Sequence, residues 1–321
     1  MQNIQNMKIT LDNNEEYKTQ HESVIRSDKV GNVIEHRAIK SNEEIIIRKK
    51  STPQQKAFRR RESALRTFTS KLGGYVNMTY IKNEVLFNKL DIDRANISRL
   101  IYLTTYIDYN DRLENLLIKH SKDYKIEALK RSDIKEILNL SDRALINFLN
   151  DVKKNNLMFE VDNKFYISNE YFCRGNCKDN NKFNKNDYTR IFIDTTRFLY
   201  NSCSARQHKQ LSYIYQLVPF MNHELNILCS NPHELYFDKL EKLSLKQICE
   251  LLKVSTDSRS MRKLREELLK FTVTIDNKQY RFLSWVKVNN TYDYFVINPA
   301  LIWSGSNLDI VKDTIQVCFF N

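Results

Sequence analysis

The sequence predicts a mainly α, α+β fold made of two copies of one helix-turn-helix plus β-hairpin unit. Three observations predict it. Residues 129–157, LKRSDIKEILNLSDRALINFLNDVKKNNL, and residues 243–271, LSLKQICELLKVSTDSRSMRKLREELLKF, carry one pattern twice. Separate segments align at a common offset: Leu100, Leu103, Tyr106 and Ile107 fall on Ile214, Leu217, Phe220 and Met221, 114 residues on. Glycine (5) and proline (4) are scarce, which disfavours an all-β chain with many tight turns and a glycine-rich phosphate loop.

Residues 1–72 read as a flexible N-terminal region. Within it VIRSDKVGNVIEH, residues 24–36, sets two apolar segments around Gly31-Asn32, the pattern of a small β-hairpin. Residues 48–71, RKKSTPQQKAFRRRESALRTFTSK, hold nine Lys or Arg against one Glu. Such a run is a basic arm or the start of a basic helix. Arg59, Arg60 and Arg61 are its candidate phosphate contacts; the competing reading is a solvated linker.

The first unit spans residues 73–176 and the second 188–306, with 307–321 as a C-terminal tail. CRGNCKDNNKFNKND, residues 173–187, is Asn- and Lys-rich and reads as the linker between them. Residues 187–211 read as a helix followed by a polar turn. Each unit then orders a helix, a variable region, a short helix of pattern L-x4-I-x2-[IL]-L-x-[LV]-S, a turn, a second helix and a hairpin. The hairpin makes each unit a winged helix. VDNK at 161–164 aligns with IDNK at 275–278, again 114 residues on. FYISNEYFCRG (165–175) aligns with FVINPALIWSG (295–305) at an offset of 130, so the second unit holds a 16-residue insertion before its last strands. Repeated offsets of this kind predict an internal duplication.

In a helix-turn-helix the second helix offers polar side chains to base edges and phosphates. In residues 141–154 Leu145, Phe148, Leu149 and Val152 form an inner face, leaving Arg143, Asn147, Asn150 and Lys154 outward. In residues 255–270 Met261, Leu264 and Leu268 turn inward. Arg259, Lys263 and Lys270 share the outer face, flanked by Arg262 and Arg265. Ser141 and Ser255 are candidate caps or turn ends. Within the second of these helices the apolar pattern is shifted by two, so residues are not equated one for one. The alternative is that one unit binds DNA while the other packs or dimerises.

The net charge of +12 favours a polyanionic partner. No apolar run approaches the roughly 20 residues that span a bilayer, and the first residues lack the apolar core of a signal peptide. The expected location is the bacterial cytoplasm, with the six cysteines as free thiols. No catalytic residue, cofactor or metal ligand set stands out, so the chain is expected not to be an enzyme. Cys173 and Cys177, with Cys203 and His208, lack the spacing of a structural zinc site. The six histidines, none closer than ten residues to another, supply no His-rich motif for nicking by one of the 17 tyrosines. Tyr102, Tyr106, Tyr215 and Phe220 read as core, and Trp285 and Trp303 as packing residues of the last hairpin.

YFVINPALIWSG, residues 294–305, resembles the strand, Asn-Pro, turn and Gly that end RepL-type plasmid replication proteins, with Ile297, Asn298, Pro299 and Gly305 on the pattern. Asn32-Val33-Ile34-Glu35 is similar to the Gly-Glu-Val-Ile-Glu element near their start. That type has one winged helix; two in tandem look more like iteron-binding plasmid initiators, whose own motifs are absent here. The resemblance implies a plasmid or phage replication initiator of a Gram-positive host, binding double-stranded DNA at origin repeats with host replication proteins as further partners, and a homodimer as one assembly. Two readings stand beside it: a transcriptional regulator, repressor or activator, of the same fold, and a winged-helix module for protein interaction.

Overall fold

The computed structural model describes residues 7–12, 23–27, 33–38, 43–48, 52–81, 84–109, 114–121, 123, 125–175, 187–275, 278–288 and 292–319. The chain forms two compact units, Met1–Ala64 and Leu65–Asn321.

In the first unit β1 (Met7–Asp12) pairs in parallel with β4 (Glu43–Arg48). β2 (Ser23–Ser27) and β3 (Val33–Ala38) form the antiparallel pair that the apolar segments around Gly31-Asn32 predict; residues 28–32 lie outside the described residues. α1 (Pro53–Lys71) follows. Its start is written locally: Pro53 fits a first helical turn, and Thr52 and Gln55 exchange backbone-to-side-chain bonds of 3.0 and 3.1 Å. The last turns of α1 belong to the second unit, where Leu65 and Phe68 pack on Phe192 and Trp303.

In the second unit Gly73 and Gly74, at φ +74° and +80°, turn the chain from α1 into β5 (Tyr75–Tyr80). A Cβ on Gly73 would collide with the Asp194 carboxylate, so only glycine fits that approach. Then come α2 (Arg94–Thr104), β6 (Ile118–His120), β7 (Ile126–Ala128), α3 (Arg131–Ile137), α4 (Asp142–Lys154), β8 (Met158–Val161), β9 (Lys164–Ile167) and β10 (Phe172–Cys173). The chain resumes with β11 (Asp187–Phe192), α5 (Ile193–Ser202), α6 (Gln207–Gln216), α7 (Leu245–Leu251), α8 (Ser258–Leu269), β12 (Thr272–Ile275), β13 (Lys278–Arg281), β14 (Leu283–Val288), β15 (Tyr292–Ile297), β16 (Ile302–Trp303) and α9 (Leu308–Phe319). The fold is α+β, with small antiparallel sheets set among helices.

A four-stranded sheet of order β10-β5-β11-β16 joins the two halves. β5 and β11, which open the halves, pair antiparallel at its centre, and β10 and β16 flank them. α2 packs on α6 beside this sheet. Local bonds recur between the halves. Leu117 donates its N–H to Phe165 O at 2.8 Å, and Leu228 donates to Phe295 O at 2.9 Å. Asn115 and Asn226 both hold positive φ, +63° and +56°. Each sends its side-chain amide to the strand that closes its half: Asn115 to Phe172 O at 2.7 Å, Asn226 to Ile302 O at 2.6 Å. The halves also satisfy one another. Tyr200 Oη donates to Leu138 O at 3.3 Å, and Arg94 Nη2 to Leu252 O at 2.6 Å, so each half caps the end of the other's short helix.

Three expectations change. Residues 187–192 form β11 rather than the start of a helix, because β5 and β16 pair with both of its edges and override the local pattern. Residues 308–319, expected as part of a tail, form α9, which buries Leu308 and Val311 in the cluster around Trp303. Cys173 is disulfide-bonded, while Cys203, Cys229, Cys249 and Cys318 are free thiols. Of the segment read as a linker, residues 176–186 lie outside the described residues. Each half carries two antiparallel hairpins, β6–β7 and β8–β9 in the first and β12–β13 and β14–β15 in the second; they differ in placement, since β14–β15 follows the second helix pair whereas β6–β7 precedes the first. Among the described residues no helix is long and apolar enough to cross a membrane.

Candidate nucleic-acid interface

The first helix pair is built from short-range bonds. Asp133, in the first turn of α3, accepts Lys130 N–H at 2.8 Å and Lys119 Nζ at 2.7 Å. Burial pushes the Asp133 carboxyl up, but these two bonds outweigh it and hold the group below the usual carboxylate range. α3 ends at Asn139, which takes φ +49° and turns the chain. Ser141 caps α4 by accepting Ala144 N–H at 3.3 Å. Leu145, Phe148, Leu149 and Val152 are buried. Arg143, Asn147 and Asn150 are exposed. Lys154 is exposed too, with its ammonium on Asp91 at 2.5 Å. Asp151 faces inward to the start of α2, accepting Asp93 N–H at 2.9 Å and Asn96 Nδ2 at 2.6 Å. These bonds pin the helix while leaving its polar face to solvent.

The second pair follows the same plan with a different cap. Ser244 and Gln247 form a capping box at the start of α7. Lys253 takes φ +51° where Asn139 stood in the first pair. Ser255 does not cap α8. Its hydroxyl donates to Asp257 Oδ2 at 2.7 Å, and Asp257 Oδ1 accepts the N–H groups of Arg259 and Ser260, each at 3.0 Å. Bonds from Ser260, then from Ser255 and Arg259, hold the Asp257 carboxyl well below the usual range. Moving the cap from 255 to 257 starts the helix two residues later. This accounts for the two-residue shift in its apolar pattern and makes the two helices comparable position by position. Leu145, Phe148 and Val152 then stand where Met261, Leu264 and Leu268 stand. Arg143, Asn147 and Lys154 stand where Arg259, Lys263 and Lys270 stand, and Ile146 where Arg262 stands.

Arg259, Arg262 and Lys263 on α8, and Lys270 at its C-terminal cap, are all exposed. Arg262 pairs with Glu266 at 2.8 Å, one turn on. Arg265 is half-buried with its guanidinium 4.4 Å from the Trp285 ring centre, and Lys287 lies as close to that ring. Trp285 is fixed by its Nε1 donating to Asp293 Oδ2 at 2.6 Å. Arg265 therefore braces the β14–β15 hairpin rather than standing clear on the outer face.

The β8–β9 hairpin turns through Asp162 and Asn163, at φ +49° and +58°, the mirror-image turn that matches strand twist. Its exposed Phe159 stacks on Tyr166 at 5.6 Å. In β12–β13 the turn residues 276–277 lie outside the described residues. On α1, Arg59, Arg60 and Arg61 are exposed.

Other residue types behave as structure. Tyr102, Tyr215, Phe220 and Trp303 are buried. Burial pushes the Cys203 thiol up to about 11 and that of Cys229 up to about 12, so both stay protonated and poorly nucleophilic at neutral pH. Sequence spacing gave no sign of one cluster. Asp187, His223 and His233 come together, with His233 Nε2 at 3.0 Å from Asp187 Oδ2. The signal was absent because β11 and the loop after α6 meet only in the folded chain. Comparison with family models, with curated proteins and with solved structures gives no match for this chain.

Proposed function

We propose that this protein binds double-stranded DNA in a sequence-specific way and acts at a plasmid or phage replication origin. In this reading each half of the second unit is a winged helix, and the two arose by duplication. The recurring bonds of Asn115 and Asn226, and of Leu117 and Leu228, support that part. The observation that carries the functional reading is the outer face of α8. Arg259, Arg262 and Lys263 project from a helix whose other side is fixed by Leu264 and Leu268, with Lys270 exposed at its C-terminal cap. Arginine on such a face matches guanine O6 and N7, and lysine matches phosphate. α4 presents Arg143, Asn147 and Asn150, a less charged face in which asparagine matches adenine. The chain is then a covalent pseudo-dimer covering two half-sites about 10 base pairs, or a multiple, apart. It acts by binding rather than by catalysis, with duplex DNA and host replication proteins as partners.

The test is selection of sites from random duplex DNA at about 150 mM salt, where non-specific phosphate binding is weak, followed by footprinting. The expected result is one enriched sequence with two protected major-groove patches. Its place in the protein's own genome separates an origin from a promoter, and so an initiator from a transcriptional regulator. Binding without any enriched sequence overturns the proposal and moves the helix pairs to protein interaction.

A further inference from the structure

Asp187 opens β11, directly across from Tyr80 on β5. His223 and His233 stand at the two ends of a loop that follows α6. That loop is closed by Asn222, whose side-chain amide donates to Pro232 O at 2.9 Å and to Glu234 O at 2.8 Å. His223 N–H adds a third bond to Pro232 O at 3.1 Å. The two imidazoles are thus held side by side by bonds that do not involve them, with ring centres 4.2 Å apart. The Asp187 carboxylate lies against His233, and one potential ligand atom from each residue falls within 4.8 Å of the others. Tyr80 Oη is 3.4 Å from His223 Nε2.

We propose that Asp187, His223 and His233 bind one divalent d-block cation of the zinc type. Two imidazole nitrogens and one carboxylate oxygen suit zinc, cobalt or nickel and are poor donors for magnesium or calcium. Around a tetrahedral ion with bonds of about 2.0–2.1 Å, ligand atoms stand about 3.3 Å apart. Contraction from the present separation needs only side-chain rotation. Three protein ligands leave the fourth position to water, which His233, 43% exposed, leaves open to solvent. The competing reading is a bare ion pair between His233 and Asp187 with a tilted imidazole beside it. The geometry that favours the metal is the convergence of ligand atoms from all three residues, where an ion pair needs only two. The ion would fasten the opening strand of the second half to the loop behind α6.

The full chain, stripped with chelator, is titrated with Co(II) and with Zn(II). The expected result is one ion per chain, visible d–d bands without a thiolate-to-cobalt charge-transfer band, and a rise in melting temperature on zinc addition. His233→Asn, at an exposed position, and Asp187→Asn each weaken binding tenfold or more while the apo-protein melts as wild type does. A wild-type chain that retains no stoichiometric ion overturns the proposal. So does a thiolate band, or binding unchanged in His233→Asn. The readout is independent of DNA binding, so the site stands or falls apart from the functional reading.

Discussion

His208 lies between the halves of the second unit, stacked at 4.0 Å on Tyr200, which stacks in turn at 4.0 Å on Tyr102. Burial holds its pKa below the ordinary 6.5 against a smaller upward pull from the Tyr200 carbonyl, and the neighbouring Arg99 charge adds a still smaller downward push. Above pH 6.5 the ring is neutral both folded and unfolded and adds no pH dependence. As pH falls through that value the unfolded chain takes up a proton that the folded chain refuses, so stability drops. Urea midpoints measured from pH 8 to pH 5 are expected to fall at the acid end, and to fall less in His208→Gln. Equal slopes in the two proteins would remove His208 from the acid sensitivity. Arg265 yields a second residue-scale expectation. Its truncation to Ala removes a cation–aromatic interaction worth about 0.5–1 kcal/mol and changes the fluorescence of Trp285. The sequence placed Arg265 beside the outer face, but its ring partner is 20 residues away in the β14–β15 hairpin, beyond any local pattern.

For single elements, α4 shows how much periodicity can settle. Leu145, Phe148, Leu149 and Val152 repeat at helical spacing, and all four are buried. The start of α8 was less legible, since Ser255, Asp257 and Ser258 are each plausible caps and only the bonds of Asp257 decide. Ser141→Ala is expected to cost about 1 kcal/mol through loss of the α4 cap, read as a lowered urea midpoint. For DNA binding, neutralising Arg259, Arg262 and Lys263 together with Gln is expected to flatten the dependence of log affinity on log salt. The slope should drop by up to about 0.9 for each phosphate that is no longer neutralised. The matching change on α4, Arg143 with Asn147 and Asn150 to Ala, should leave most of that slope and relax sequence preference instead. Reversal of these two outcomes would exchange the roles of the helices.

At the level of the whole second unit, β5 with β11 and α2 with α6 knit the halves into one body, with Tyr200 and Arg94 crossing in opposite directions. Both tryptophans, Trp285 and Trp303, lie in the second half. Leu145→Ala, in the first half, removes a buried side chain at a cost of about 2–5 kcal/mol. Tryptophan fluorescence is expected to report that loss as a lowered unfolding midpoint, because the halves unfold together. An unchanged tryptophan midpoint would mean that they unfold independently. The α+β class and the repeat offsets are visible in the sequence because they rest on spacing. The central pairing of β5 with β11 is not, because each strand is short and its partner lies more than 100 residues away.

That pairing has a consequence for the order of synthesis. β5 leaves the ribosome early, yet the strand that covers its second edge comes only after the whole first half. Until then the nascent chain carries an open strand edge, kept from strangers by little beyond its short length. In a polysome the nearest β11 can belong to the chain ahead, and the same antiparallel register would then join two molecules instead of two halves. Translation that slows between residues 175 and 192 should increase this exchange, seen as a dimer that dilution does not dissociate.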